Sequence, residues 1–459
     1  MLESEKFIPS YPCPHKNKLT ALPRFIRGWK SWIHTLFEKS YKAQMGHVKM
    51  PHLDVYVVNT PDLVRNITET HSDGFQKHYI QREILCPLIG NSLFTANGEE
   101  WRKQREMINP AFSHTRLSLS FPTMQAATAD MMQRLELESQ GNKPVEIDPL
   151  MTHVTADIIF RTILSKTIDD KDARDIFSYF NQYQDWTQRI ITCRIYGFPS
   201  PILNYRQKKS AEGIRSILKP LIAARYGMYH KNGENKQDIL GTMLEARTPD
   251  TNEPFSLNDL VDQVCMLFLA GHETSASALT WSLYLLSRCP HLQEAMRAQI
   301  RDVTQGRPIT HGMLRHFSHV QNVFNESLRL FPPVSFLPRE PLHDTHLRDK
   351  FVKKGAMVTI SPWLIHRHQT QWPNPDQFAP DRWEDATQKD TAKQSFLPFG
   401  KGARICVGQG FARQEALLIL ATIINAYQIE YKNLEEPEPV ARVTLRPHKP
   451  IALYFCPVK

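Results

Sequence analysis

One cysteine in this chain stands where a thiolate could hold a metal ion. Cys406 lies in the run Phe396 to Ala412, FLPFGKGARICVGQGFA, which also carries Gly400, Gly402, Gly408 and Gly410. Lacking side chains, glycines let a backbone turn sharply and come close to a flat ligand. The next stretch, Phe411 to Ala426, is rich in helix formers, so Cys406 falls at or beside a helix N-terminus. Exposed N–H groups and the helix dipole there favour the thiolate over the thiol. An arbitrary cysteine is more often a small buried hydrophobe; the glycines and Arg404 around this one argue for the ligand role. The same glycines make no nucleotide site. Arg413 breaks the third position of a dinucleotide fingerprint begun at Gly408, and Gly402 follows Lys401 where a phosphate loop needs Ser or Thr.

Phe399, Gly402, Arg404, Cys406 and Gly408 together have the spacing F-x-x-G-x-R-x-C-x-G, which resembles the haem-binding loop of the cytochrome P-450 family, the haem-thiolate monooxygenases. The resemblance implies a b-type haem (heme b, iron protoporphyrin IX) held without covalent attachment, with Cys406 as the iron ligand. Phe399 would pack against the thiolate side, and the N–H groups of Val407 and Gly408 would tune the sulfur. Three further motifs follow in the family's order. Trp101 and Arg105 lie four apart, on one helix face; this W-x-x-x-R spacing resembles the helix that binds the haem propionates, with Arg339 and Arg404 as further cofactor contacts. Ala270-Gly271-His272-Glu273-Thr274-Ser275 resembles the motif A/G-G-x-D/E-T-T/S, whose groove holds dioxygen. There Thr274 would hydrogen-bond the oxygen and Glu273 would connect the site to solvent protons through water. Glu326 and Arg329, with Arg382 in Phe378 to Trp383, resemble the family's buried ion triad, which serves folding and haem retention.

These groups need a scaffold, and the resemblance implies one that is mainly α with a small β lobe. The resemblance implies the cytochrome P-450 fold, one domain over residues 1–459, with haem between a long central helix and the cysteine loop. Residues of about 45–75 and 335–362 fall in the β-rich lobe, 80–330 and 363–427 are mostly helical, and 428–459 give closing strands. The central helix is well marked. Ser256 and Asp259 form a capping box and Cys289-Pro290 stops the run, leaving about 32 residues that reach about 48 Å. In its middle, Thr274 can return its hydroxyl to the Ala270 carbonyl and open a small groove, while His272 faces away. Leu22 to Ala43 reads as a basic amphipathic helix, and Pro61 to Glu69 as a short helix capped by Thr60. Phe121 to Glu245 is helical, broken at Gly197-Phe198-Pro199 and Asn232-Gly233. Val334 to Leu337 should line the substrate pocket, with Phe94, Ala270 and Phe336. His366 and His368 lack a third ligand and read as structural.

Composition narrows the remaining choices. Lysine and arginine total 56 against 47 acidic residues, a net charge of +9, yet no basic run with interleaved aromatics points to nucleic acid. Seven scattered cysteines without C-x-x-C pairs argue against disulfides or zinc and for a reducing compartment. No apolar stretch is long enough for a membrane span. Glu3 and Glu5 stand where a secretory leader would carry positive charge. The expectation is a cytoplasmic, monomeric protein of soluble bacterial type. The resemblance further implies insertion of one atom of O2, as co-substrate, into a small, mostly apolar molecule by hydroxylation, epoxidation or oxidative demethylation. Without flavin or nicotinamide fingerprints in the chain, electrons would pass from NAD(P)H through a separate ferredoxin or flavodoxin with its reductase. That partner would dock near Arg102, Lys103, Lys401 and Arg413. A peroxide-driven or rearranging haem-thiolate enzyme would usually lack the Glu273–Thr274 pair, and a haem sensor or carrier would make no oxygen-dependent product.

Overall fold

The longest buried element begins with a reciprocal cap. Ser256 Oγ accepts from the Asp259 N–H at 3.2 Å, and the Asp259 carboxylate accepts from the Ser256 N–H at 3.0 Å, which satisfies two donors that a helix start otherwise leaves unpaired. From there the central helix runs Leu257–Ser287 in the computed structural model, which describes residues 7–50 and 52–458. Glu3 and Glu5 lie outside the described residues. Buried on nearly every side, the helix packs against Ile147–Leu164, Pro201–Asn232, Ser318–Leu330 and Gln409–Ala426. Gly271 makes one of these approaches possible: a Cβ there would stand 2.9 Å from Ile159 Cγ1.

Helices dominate, and the sheets are small, as the sequence pattern requires. The largest has five strands in the order Met45–Lys49, Asp54–Val58, Met357–Ile360, Leu337–Pro341, Phe75–Lys77. Its middle strand, Met357–Ile360, is buried at every position and pairs parallel to Asp54–Val58 and antiparallel to Leu337–Pro341, which fits a strand covered on both faces. Tyr427–Glu430, Ala452–Pro457 and Val145–Glu146 form a second, three-stranded sheet.

Three local expectations need correction. The basic segment from Leu22 is a helix only over Ala21–Lys30, because Ser31 turns extended and its hydroxyl accepts the Ala441 N–H at 2.9 Å; 3-10 turns follow. Thr60 precedes a helix but makes no side-chain cap. Between residues 121 and 245 the chain breaks at Gly197 and Gly233, both left-handed, and also around 139–146 and 165–169.

Two buried carboxylates behave in opposite ways. Glu326 lies between two guanidiniums, at 2.8 Å from Arg329 Nη2 and 2.9 Å from Arg382 Nε, and also accepts from the Ala379 N–H. Burial alone would raise its pKa, but the arginines outweigh it and hold the carboxyl below its usual value. Glu415 has Ser275 beside it and no well-formed hydrogen bond to either oxygen, so burial pushes its pKa up to about 8. The folded protein thus keeps a proton that the unfolded chain gives up above about 4.5. That site's contribution is complete below the unfolded value and is lost as pH rises through 8. Glu415→Gln is therefore expected to exceed the parent in stability by about 2–4 kcal/mol at pH 8 and to match it near pH 4.5, read from urea midpoints at the two pH values.

Candidate active site

The cysteine loop owes its shape to a close contact with the early chain. Gly402 adopts φ +73°, and a Cβ there would fall 2.0 Å from the Thr68 carbonyl oxygen. Gly400 is also at positive φ, whereas Gly408 and Gly410 are not. Gly408 is the cap of the helix Gln409–Ala426, and Gly410 lets Leu117 pass, its Cδ1 2.7 Å from a built Cβ. The Cys406 N–H donates to the Phe399 carbonyl at 2.9 Å, which closes the loop. Cys406 has uncovered surface although protein atoms surround it, the signature of a side chain at the floor of a recess. Burial pushes its thiol pKa up; the Gly408 N–H and the Arg105 charge pull the other way without prevailing. The helix end thus does not by itself produce a thiolate, because desolvation is the larger effect until a cation is present.

Four cations converge near this loop. Trp101 and Arg105 share the face of Gly98–Ile108. Arg105 donates to the Ile405 carbonyl at 2.7 Å, and Arg404 lies over the Trp101 ring at 4.3 Å and donates to Asn97 Oδ1 at 3.1 Å. Arg339, on the sheet strand Leu337–Pro341, is buried and among the described residues its guanidinium hydrogen-bonds only the Pro338 carbonyl, and burial pushes its pKa down to about 10. The fourth is Lys77, which no motif in the chain marks. Fully buried, it donates to the carbonyls of Leu93 and Phe94, and burial together with Arg404, Arg339 and Arg105 holds its pKa well below the usual lysine value. None of the four has a carboxylate partner among the described residues. A cluster of cations, two buried and two half-buried, with neutral acceptors only is costly alone, and it fits a dianionic ligand such as the propionates of a haem whose iron takes Cys406.

The Lys77 charge state gives a direct check. A bound dianion moves the Lys77 pKa back towards the usual lysine value, so over the pH range below that value haem uptake should absorb more protons in the parent than in Lys77→Met. Calorimetry in two buffers of different ionisation enthalpy measures that difference.

On the central helix, Thr274 donates to the Ala270 carbonyl at 2.6 Å, a back-bond that loosens the helix there. Both residues face a largely apolar cavity of about 330 Å³ whose wall also includes Phe94, Val334, Phe336 and Glu273. Leu337 is not in that wall; it packs into the core under the five-stranded sheet. Glu273 differs from its expected role as an open link to solvent. Its carboxylate is 2.9 Å from Arg446 and accepts from Thr444 and Gln184, both at 3.1 Å; Arg446 in turn meets Asp148 at 2.6 Å. Arg446 is half-buried with an anion on each side, so it ties Glu273 to the closing strands. His272 bonds the Phe268 carbonyl through Nδ1 at 2.7 Å, and its other nitrogen is 3.6 Å from Glu273, so it is not wholly remote from the acid. His366 is fixed between the Arg329 carbonyl and the Leu397 N–H, and burial pushes its pKa down to about 3.

The family profile described as Cytochrome P450 matches residues 26–455. The chain belongs to the cytochrome P450 family. Among its P450 relatives, cyclooctatin synthase of Streptomyces melanosporofaciens is 29% identical over 88% of this chain and 85% of that protein. A cytokinin hydroxylase of Arabidopsis thaliana is 30% identical over 95% of this chain and 84% of its own, and pentalenene oxygenase of Streptomyces avermitilis is 26% identical over 93% of each. The heme domain of cytochrome P450DA shares the fold, with TM-score 0.82, 23% identity and coverage of 99% of both chains. Membership makes this P450 an oxidoreductase of the monooxygenase class. No helix among the described residues is long and apolar enough to cross a membrane.

Three of the four basic residues expected to receive an electron donor are already engaged. Arg102 pairs with Glu99 and, at 3.0 Å, with Asp73; Lys103 pairs with Asp250 at 2.8 Å. Arg413 is part-buried over the Phe399 ring at 5.2 Å and donates to Asn325. Lys401 forms no ion pair among the described residues. Local charge compensation, invisible in a count of basic residues, offsets two of the four charges, those of Arg102 and Lys103.

Proposed function

We propose that this P450 inserts one oxygen atom from O2 into a small, mostly apolar molecule, using electrons that reach it from NAD(P)H through a separate ferredoxin or flavodoxin and its reductase. The observation that carries the reading is a recessed cysteine beside a cluster of cations without carboxylate partners among the described residues, in a chain whose loosened central helix presents Thr274 to an apolar cavity. Haem bound there would supply dioxygen activation. The protein's own residues do the rest. Lys77, Arg105, Arg339 and Arg404 would hold the carboxylates, and Cys406 would supply the fifth ligand. Phe94, Val334 and Phe336 exclude water around the substrate and favour apolar surfaces. The Thr274 hydroxyl gives its proton to the Ala270 carbonyl, so it presents its oxygen to the cavity as an acceptor and would donate there only by turning away from that bond. Glu273, fixed by Arg446, is better suited to orient water near Thr274 than to swing towards solvent. The test supplies haem-loaded protein with a ferredoxin, its reductase, NADPH, isotopically labelled O2 and a library of apolar compounds. One labelled atom in a product supports the reading. A fully haem-loaded protein that labels no compound is a carrier or sensor instead.

A further inference from the structure

The outer end of the cavity carries charge that oxygen chemistry does not use. Five side chains in the wall are charged or can become so: Lys18, Arg24, His47, Glu273 and Arg442. Three have opposite charges at hand. Glu273 meets Arg446 at 2.9 Å, Arg442 meets Asp185 at 2.5 Å and His47 meets Asp54 at 2.9 Å. Lys18 and Arg24 have no acidic partner among the described residues. Arg24, on the N-terminal helix Ala21–Lys30, reaches the Leu19 carbonyl and, at 3.4 Å, the Met50 sulfur; Lys18 donates to the His47 carbonyl at 3.0 Å. Loss of water and the Arg24 charge hold the Lys18 ammonium below its usual pKa, and no carboxylate offsets them.

Around these two cations the wall is apolar, with Trp32, Leu36, Val48, Met50 and Ile80, and it continues inward to Ala270 and Thr274. Adjacent cations with neutral acceptors, at the rim of an apolar cavity, complement a molecule with an anionic head and a hydrocarbon body. We propose that Lys18 and Arg24 form an anion subsite holding the carboxylate or phosphate head of an apolar substrate whose far end reaches Thr274. This deepens the monooxygenase reading, which supplies the chemistry at the far end but not the binding of the head.

Haem-loaded protein is titrated with dodecanoate, dodecyl phosphate and methyl dodecanoate, followed by calorimetry and by the spin-state change of the ferric Soret band. At low salt the anionic probes should bind about tenfold tighter than the ester, an advantage that shrinks as salt screens the rim. The double variant Lys18→Gln, Arg24→Gln should lose the advantage and keep the ester's affinity. Arg24→Glu should turn the preference towards dodecyltrimethylammonium. An unchanged haem spectrum shows that these variants fold. A preference for either anion supports the subsite, and which one is favoured separates fatty carboxylates from phosphate esters. Equal binding of all three probes, a preference that survives the double variant, or no binding of any probe overturns it. Failure to take up haem defeats the proposed function instead, and the calorimetric comparison still decides the subsite.

Discussion

Cys406→His is expected to keep the fold and retain haem, but to give a ferrous carbon monoxide adduct with the Soret band of a histidine-ligated protein. Product formation should fall by at least about a hundredfold, since lesser changes around a metal ligand already cost 10–100-fold. The side chain at this position stands at the floor of the recess, with the Gly408 N–H and Arg105 acting on its sulfur. An imidazole there has neither the charge nor the electron donation of a thiolate. Cys406→Ser should lose the thiolate-type band as well. An adduct spectrum that survives both substitutions would mean that iron takes another ligand.

The second large effect belongs to stability. Glu326→Gln leaves Arg329 and Arg382 buried against a neutral amide, and should destabilise the protein by about 3–5 kcal/mol, seen as a lower urea midpoint at unchanged slope. The two arginines remain anchored by carbonyls: Arg329 donates to those of His366 and Pro375 at 2.8 and 2.6 Å, and Arg382 to that of Pro373 at 3.2 Å. The loss is therefore mainly the missing anion. Because the Glu326 carboxyl is held below its usual pKa, its contribution is present above the unfolded value near 4.5 and fades as pH falls through the folded value. The parent should thus lose part of its advantage over Glu326→Gln in acid, and a constant difference down to pH 3 would contradict the assignment.

What the sequence revealed was local geometry. The Ser256–Asp259 cap, the breaks at Gly197 and Gly233, and the Thr274 back-bond each depend on residues within a few positions, and their spacing is readable. Arg329 and Glu326, three apart on a helix, were equally visible, and Arg382 was found through the motif around it. Residues whose meaning arises across the fold were not. Lys77 stands in a strand with nothing to mark it, and its significance comes from three arginines on other elements. Arg446 redirects Glu273 from a strand more than 170 positions away. Gly271 reads as part of an oxygen groove, but a Cβ there also has Ile159 to contend with. Ser31 ends a helix because of an N–H from Ala441. Two of the expected docking cations show the same limit: Asp73 and Asp250, which meet Arg102 and Lys103, come from other segments, where a linear count of charge does not place them.

The cation cluster and the cysteine are joined through Arg105 and the Ile405 carbonyl, 300 positions apart in the chain. During synthesis Lys77 and Arg105 therefore exist long before Arg339, Arg404 and the sulfur, and a nascent chain holds only part of the cation cluster and no metal ligand. Firm capture belongs to the finished fold, so variants that fold slowly should accumulate as colourless protein before they show any defect in turnover.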